Sequence, residues 1–412
     1  MAKTGAALAL SLVAMVGVSV TQSAAQQSSK QVRQKQAQQQ QQPRAPKTLQ
    51  GPATMRPTPK PVQLAPTSAQ SMLTARLRDI GQSFNGDIGI AVQDVQTGWT
   101  THYDGNTFFP QQSVSKFWVA LAALDRADRG HLSMDAPVTM TRSDLTLFHQ
   151  PIAKQIGASG YTTTLNSLMY RAITQSDNTC NDFVLWKAGG PEAVRSFLAD
   201  KRIGGIRFGP GERKLQARIA GMEWRPSMVG AGFYAARNAL PMNVRRTAFE
   251  NYIRDPMDGA TPLGIVDALA RLKKGELLSP RSTEKLLSTM SQTKTGAQRL
   301  KGGLAPGWKL AHKTGTGQVL GGTQAGYNDI GVITGPDGRS YAIAVMIRRT
   351  AAPLGERMRA MQNTVRAVIN YADAVPAARF AKTPKPVQPI KAAGGLQSVA
   401  ATVEALDEGE GE

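Results

Sequence analysis

Residues 111–120 read QQSVSKFWVA, in which Ser113 is followed three positions later by Lys116 and then by an apolar run. Side chains three or four residues apart lie on the same face of a helix, so a helix beginning here would bring the serine and the lysine together. The amides at a helix start favour negative charge developing near Ser113. Burial of Lys116 would disfavour its ammonium form and make a neutral amine available as a base. The stretch therefore predicts an activated serine, although an ordinary helix start can carry the same spacing.

A second polar triplet, Ser176-Asp177-Asn178, lies in residues 170–182, YRAITQSDNTCND, between two stretches with helical apolar spacing. One interpretation is an ordinary helix N-cap at Ser176 or Asp177. The other is functional, with the Ser176 hydroxyl relaying a proton to a leaving group and the Asn178 amide holding a substrate carbonyl. The triplet alone does not decide between them.

The third element is Lys313-Thr314-Gly315-Thr316-Gly317 in residues 307–319, GWKLAHKTGTGQV. The alternation before it predicts the end of a strand, and its small residues would let a substrate lie against the strand edge. Lys313 would then serve as a cation for a substrate carboxylate. The alternative is a basic strand end that turns into a glycine-rich loop.

These three elements, in this order, resemble those of class A serine β-lactamases and penicillin-binding proteins. The likeness covers residues 71–375 and includes the flanking stretches FFPQQSVSKFWVALAALDRADRGHLSMD, SDNTCNDFVLWKAGGPEAVRSFL and YAIAVMIRR. It implies hydrolysis of β-lactam antibiotics through a serine acyl-enzyme and hence resistance, with no cofactor and no metal. The implied catalytic residues are Ser113, Lys116, Ser176 and Glu212, and the implied substrate-binding residues are Asn178, Gln216, Lys313, Thr314, Gly315 and Thr316.

In that family a glutamate in an E-x-x-L-N pattern holds the water that hydrolyses the acyl-enzyme. Residues 211–216, GERKLQ, offer Glu212 at 36 positions after Ser176, with Gln216 in place of the usual asparagine. The loop that follows, residues 217–262, is several turns longer than is usual in the family. Glu223 or Glu250 in this enlarged loop are therefore alternatives to Glu212. Phe148 falls where the family often has an aromatic wall, and core packing is the other interpretation of it.

The remaining patterns predict an α+β fold. A helix and a strand pair open the domain, helical patterns fill its middle, and three strands and a last helix close it. We expect one antiparallel sheet flanked by the N- and C-terminal helices, a separate helical lobe, and the active site at the seam between them. Cys180 is the single cysteine, so the fold is expected to hold without an internal disulfide bond.

The two ends of the chain differ from this domain. Residues 1–25 combine an early lysine, an apolar run and small residues before Gln26, which predicts a signal peptide cleaved after Ala25 and export to the periplasm. Residues 26–70 are rich in Gln, Pro and basic residues and are predicted to be a disordered linker, and residues 376–412 a disordered tail. Residues 1–70 contain eight basic residues and no acid. The linker could therefore contact a cell-wall polymer or another anionic surface, or act only as a solvated spacer. No specific nucleic acid is expected as a partner, and the protein is expected to be a monomer.

Two other functions remain open on the sequence alone. A penicillin-binding DD-peptidase acting on cell-wall peptides would share the three motifs but would release a β-lactam slowly. A non-catalytic penicilloyl sensor would form an acyl-enzyme that persists. A carboxylate that reaches the hydrolytic water distinguishes the β-lactamase from both.

Overall fold

The computed structural model describes residues 67–375. This part of the chain contains a six-stranded antiparallel sheet with the strand order β2-β1-β10-β9-β7, in which β8 pairs with β9. The strands are β1 (Asp87–Asp94), β2 (Thr100–Tyr103), β3 (Phe109–Pro110), β4 (Pro137–Met140), β5 (Tyr161–Thr164), β6 (Gly259–Ala260), β7 (Lys309–Thr316), β8 (Val319–Leu320), β9 (Thr323–Thr334) and β10 (Ser340–Thr350). The helices are α1 (Ser68–Ser83), α2 (Lys116–Asp128), α3 (Leu165–Thr174), α4 (Asn178–Lys187), α5 (Gly190–Asp200), α6 (Glu212–Ile219), α7 (Ala231–Ala239), α8 (Met242–Arg254), α9 (Pro262–Lys273), α10 (Pro280–Ser291) and α11 (Leu354–Ala374).

The central strand β10 shows why the sheet has a core on each face. Successive side chains of a strand point to opposite faces, and Tyr341, Ile343 and Val345 pack with α1 and α11 on one side. Ala342 and Ala344 pack into the larger core on the other side, where fully buried Trp118 of α2 also lies. The predicted α+β fold, with its terminal helices on one face and a helical lobe on the other, is confirmed.

The first helix begins earlier than the predicted domain boundary at residue 71. Thr67 caps α1 by accepting from the Gln70 backbone N–H at 3.2 Å, and the Gln70 side chain accepts from the Thr67 N–H at 2.8 Å. This reciprocal capping box satisfies two donors that would otherwise be unpaired. Residues 67–70 therefore belong to the domain rather than to the linker, whereas the predicted signal peptide, the rest of the linker and the tail lie outside the described residues.

The sequence patterns also missed two small strand pairs, β3 with β6 and β4 with β5. Both pair residues that are far apart along the chain, and strands of two to four residues carry too short an alternation to be recognised. Within residues 67–375 no helix combines the length and apolarity that crossing a bilayer requires.

Candidate active site

Ser113 lies in a short 3₁₀ helix, Gln112–Ser115, that leads directly into α2. The α-helix itself begins at Lys116, one turn later than the sequence pattern suggested. Gln112 adopts a left-handed backbone conformation with φ of 53°, and its N–H donates to Asp258 Oδ2 at 2.8 Å. A non-glycine residue in this region is uncommon and persists where its surroundings hold it, so Asp258 helps to fix the turn that presents Ser113.

Lys116 is fully buried and connects three parts of the site. Its Nζ lies 2.8 Å from Ser113 Oγ and 2.9 Å from Asn178 Oδ1. The same nitrogen lies 3.7 Å from Glu212 Oε2, in an ion pair between two buried side chains. The structure thus brings together the serine, the lysine, the glutamate and one member of the second motif, as the sequence predicted.

The second motif contains a helix N-cap, and two of its residues contact the buried lysines. Asp177 caps α4 by accepting from the Cys180 N–H at 2.9 Å. Ser176, just before it, has a positive φ of 60° and directs its hydroxyl to Lys313, whose Nζ donates to Ser176 Oγ at 2.9 Å. Asn178 bonds to Lys116 and donates from its amide to the Leu147 carbonyl at 2.8 Å. These three consecutive residues therefore include a helix N-cap, Asp177, and two residues that contact the buried lysines.

Lys313 is also fully buried, on β7. Burial, followed by the nearby positive charges of Lys116 and Arg299, lowers the pKa of Lys313 well below its ordinary value, while Asp329 and Glu212 act in the opposite direction. Its ammonium reaches Ser176 rather than open solvent. The next residue, Thr314, bonds through its hydroxyl to that of Thr295 at 2.7 Å.

The sequence offered three glutamates for the hydrolytic role, and the structure places only one of them beside Ser113 and Lys116. Glu212 is the first residue of α6 and is buried, and its N–H donates to Asp182 Oδ1 at 2.9 Å. Glu223 is exposed and pairs with Arg218 at 3.4 Å. Glu250 pairs with Arg349 at 2.8 Å.

Gln216 lies one turn after Glu212 in α6 and its amide is fully engaged by neighbouring side chains. Its Nε2 donates to Glu212 Oε1 and to Gln112 Oε1, both at 3.0 Å. Its Oε1 accepts from Gln318 Nε2 at 2.9 Å. The amide nitrogen therefore faces the glutamate, and Gln318, beyond the end of β7, holds it that way.

The hydrogen-bond network continues from Gln112 to the buried carboxyl of Asp258. Gln112 Nε2 donates to the Tyr252 hydroxyl at 2.6 Å, which donates to Asp258 Oδ1 at 3.0 Å. Burial raises the pKa of Asp258 to about 6. Burial and the adjacent Glu212 charge likewise raise the pKa of Asp182 to about 6. Two carboxyls that the motifs did not identify thus support the residues around the serine.

These side chains border one cavity of about 420 Å³. The predicted residues that line it are Ser113, Phe148, Ser176, Asn178, Glu212, Gln216, Thr314 and Thr316. The lining residues that the sequence analysis missed are Gln112, His149, Thr295, Arg299, Gly317 and Gln318. Lys116 and Lys313 lie beneath this lining, and Phe148 also packs against Phe233 of α7 with ring centroids 5.3 Å apart.

Arg299 is the most consequential of the residues that were missed. Its guanidinium donates to the carbonyls of Gly315 and Asn328 at 2.9 and 2.7 Å and to Thr316 Oγ1 at 2.6 Å. It also stacks 3.8 Å from the centre of the Tyr327 ring. Arg299 precedes the third motif by 14 residues, and nothing in its local sequence distinguishes it from the many other basic residues.

Comparison with known proteins agrees with this geometry. Residues 72–372 match the model of the beta-lactamase enzyme family. The curated relatives include the β-lactamase VEB-1 of Pseudomonas aeruginosa, which is 29% identical over 67% of this chain and 82% of its own length. The extended-spectrum β-lactamase PER-1 of the same species is 27% identical over 69% of this chain and 82% of its own length.

Solved structures give the same result for the fold. A β-lactamase from Chitinophaga pinensis superposes with a TM-score of 0.61 at 26% identity, covering 74% of this chain and 99% of the other. An ancestral class A β-lactamase superposes with a TM-score of 0.57 at 28% identity, covering 74% of this chain and all of the other.

Proposed function

The chain belongs to the beta-lactamase enzyme family, and we propose that it hydrolyses the amide bond of β-lactams through an acyl-enzyme formed on Ser113. The observation that carries this assignment is the position of the buried Lys116 amine, 2.8 Å from Ser113 Oγ and 3.7 Å from Glu212 Oε2. A two-step acyl transfer needs a nucleophile, a base in contact with it and a further base for the water, and Ser113, Lys116 and Glu212 fit these three roles. The class A assignment follows from the same comparisons.

In the first step Ser113 Oγ attacks the lactam carbonyl while Lys116 Nζ accepts its proton as the general base. Lys116 is the group in direct contact with the serine, and Glu212 is joined to that pair through Lys116. The backbone N–H groups of Ser113 and Thr316 hold the oxyanion. Ser176 delivers a proton to the lactam nitrogen as the carbon–nitrogen bond breaks, and Lys313, 2.9 Å from its hydroxyl, is the neighbouring source from which that proton is restored.

In the second step Glu212 takes a proton from a water molecule, whose oxygen attacks the acyl carbon. The bond to Ser113 Oγ then breaks as Lys116 returns to that oxygen the proton that it took in the first step. The Gln216 amide, 3.0 Å from Glu212, holds that carboxylate and provides a donor beside it. Asn178 also lines the cavity, and its amide, which gives one hydrogen to the Leu147 carbonyl, supplies its second hydrogen to the carbonyl of the acyl side chain.

The substrate carboxylate binds near the end of β7. The Thr314 and Thr316 hydroxyls line the cavity, and Arg299 donates to Thr316 Oγ1. Gly315, between the two threonines, lets β7 pack closely against the turn that holds Ser113. Lys313 lies beneath this surface, and Arg299, which also lines the cavity, adds a guanidinium that suits a carboxylate.

The decisive experiment follows both turnover and protein mass after mixing with a chromogenic cephalosporin or a penicillin. We expect rapid turnover without lasting adduct, no adduct for Ser113→Ala, and a trapped acyl-enzyme for Glu212→Gln. Glu223→Gln and Glu250→Gln, both in the enlarged loop, are the matched controls and should hydrolyse the substrates as fast as the parent. A persistent adduct on the parent protein would favour the penicillin-binding peptidase, and a trapped adduct only in Glu223→Gln or Glu250→Gln would move the hydrolytic role to that residue.

We further propose that the protein is exported to the periplasm, with cleavage after Ala25, and that it acts as a monomer. The basic residues of segment 26–66 suit a loose contact with an acidic cell-wall polymer. N-terminal sequencing of the periplasmic fraction should begin at Gln26. Recovery of the uncleaved chain in the membrane fraction would refute the cleavage.

A further inference from the structure

The enlarged loop carries an unusual concentration of exposed apolar side chains. Tyr234, Met242 and Val244 expose 42, 51 and 40% of their surface. They fall within eleven residues of α7 and α8, whereas the other large exposed hydrophobic residues of the described chain are scattered. Single exposed apolar residues are normal on a soluble protein, but a concentration of them marks a site of interaction.

Residues 213–249, which overlap this loop, are strongly basic, and the next acid, Glu250, pairs with Arg349. Between residues 213 and 249 there are seven basic residues and a single acid, Glu223. Glu223 pairs with Arg218, and Arg213 donates to the Leu145 carbonyl. By contrast, Arg225, Arg245 and Arg246 form no ion pair within residues 67–375.

Local packing explains why the apolar residues remain outside the core. The second half of α8 is anchored by the buried side chains of Phe249, Tyr252 and Ile253, which pack against α6. Its first turn carries the exposed Met242 and Val244, of which Val244 lies beside Gly221, and Arg245 and Arg246 follow immediately. On α7, the Arg237 guanidinium lies 5.3 Å from the exposed Tyr234 ring. The result is a segment in which exposed apolar and cationic side chains alternate along the chain.

We propose that this surface, formed by Arg225, Tyr234, Met242, Val244, Arg245 and Arg246, docks the protein on an anionic lipid bilayer. A hydrated polyanion would pair with the arginines but would leave the three apolar side chains in water. The interface of an anionic bilayer satisfies both, because lipid phosphates attract the arginines while apolar side chains enter the region between headgroups and acyl chains. Phe148 packs against Phe233 and Tyr234 and also lines the cavity, so docking would bring the cavity mouth close to the membrane.

The test uses the full chain and flotation with two kinds of vesicle, one of phosphatidylcholine alone and one with a quarter of phosphatidylglycerol. Two paired variants probe the surface, Met242→Ser with Val244→Ser and Arg245→Gln with Arg246→Gln. The matched control is Met72→Ser with Leu354→Ser, which removes two apolar side chains that are even more exposed, on other elements. The basic segment 26–66 is present in every variant, so its contribution cancels in the comparison.

We expect the parent to bind the anionic vesicles, more weakly as salt is raised, and each surface pair to lose affinity by about tenfold or more. The control pair should bind like the parent, and turnover of a chromogenic cephalosporin in vesicle-free buffer should show that all variants are folded. Equal binding of the parent to both vesicle types, or none, overturns the proposal. So does a loss in the arginine pair alone, accompanied by weaker binding to soluble dextran sulfate, which would identify a polyanion as the partner. These outcomes concern vesicles alone and leave the hydrolytic assignment untouched.

Discussion

The Gln216 amide has one orientation that satisfies all of its neighbours, because Gln318 donates to its oxygen and its nitrogen donates to Glu212. We expect Gln318→Leu, which removes the donor while keeping the size, to slow deacylation about three- to tenfold and to leave acylation nearly unchanged. Residues in one hydrogen-bond network couple by about 0.5–3 kcal/mol. Quenched-flow mass spectrometry measures the rate of deacylation. The effect of Gln318→Leu on that rate in the parent and in Gln216→Ala gives the coupling energy. An equal effect in both backgrounds would show that Gln318 does not act through Gln216.

The raised pKa of the Asp182 carboxyl predicts how the stability of the protein changes with pH. Its pKa of about 6 lies above the ordinary aspartate value of about 3.9. Between about pH 4 and 6 the unfolded chain has released this proton while the folded chain retains it, so the free energy of unfolding falls as pH rises through that window. Replacement by asparagine removes this titrating group. The decrease in the free energy of unfolding between pH 4 and pH 7 should therefore be smaller in Asp182→Asn than in the parent, by on the order of 2–3 kcal/mol, which corresponds to a pKa difference of about two units.

Urea unfolding at pH 4, 5, 6 and 7 measures the effect. Asp200→Asn, at the exposed end of α5, is the control and should run parallel to the parent. If the free energy of unfolding of Asp182→Asn also changes with pH as that of the parent does, burial does not hold the proton on this carboxyl.

Distance along the chain explains which of these residues the sequence could reveal. Ser113 and Lys116 are three positions apart, and a motif of that length is visible in one stretch. Asp182 meets the Glu212 amide across 30 residues, and Asp258 meets the Gln112 amide across 146. Only the fold brings such pairs together, and each aspartate alone is indistinguishable from a solvated one.

Among the elements, strand β7 approaches the turn that holds Ser113 more closely than a side chain would allow. A Cβ placed on Gly315 would lie 2.3 Å from the Gln111 carbonyl oxygen, which belongs to the backbone and has little freedom to move. We expect Gly315→Ala to destabilise the protein by about 1–3 kcal/mol, as overpacking does. Because the turn must shift, turnover should also fall by tenfold or more.

Thermal unfolding and steady-state kinetics measure the two effects. Gly204→Ala is the matched control, since a Cβ there meets nothing within 4 Å. Parent-like turnover for Gly315→Ala would mean that the turn can yield without disturbing Ser113.

The enlarged loop shows the limit of prediction at the level of elements. Its length was apparent from the sequence, but α7 and α8 were not predicted. In α8 the buried residues Phe249, Tyr252 and Ile253 have helical spacing, yet they form a signal of only three positions in a polar segment. By contrast, α11 has buried residues at helical spacing along its 21 residues, and α2 has a continuous apolar run directly after Lys116, so both helices were predicted.

At the scale of the whole molecule, strands β1 and β10 contribute to both hydrophobic cores, so the sheet and the helical lobe should unfold together. Cys180 reports on this, because it is the single cysteine, is fully buried in the lobe, and has a thiol pKa raised by burial and by Asp177. We expect native protein to react with an aromatic disulfide reagent more than about a thousandfold slower than an exposed thiol, as befits an opening that costs at least about 5 kcal/mol.

The free energy of opening from this labelling should equal the free energy of unfolding from urea titration, provided that reclosing is faster than reaction. Cys180→Ala, which cannot react, gives the background. A labelling value several kcal/mol below the urea value would show that the lobe around α4 opens while the sheet remains folded. In that case Ser176 and Asn178, which flank the start of α4, would separate from Lys313 and Lys116 in a partly open state, and the site would be less stable than the fold that contains it.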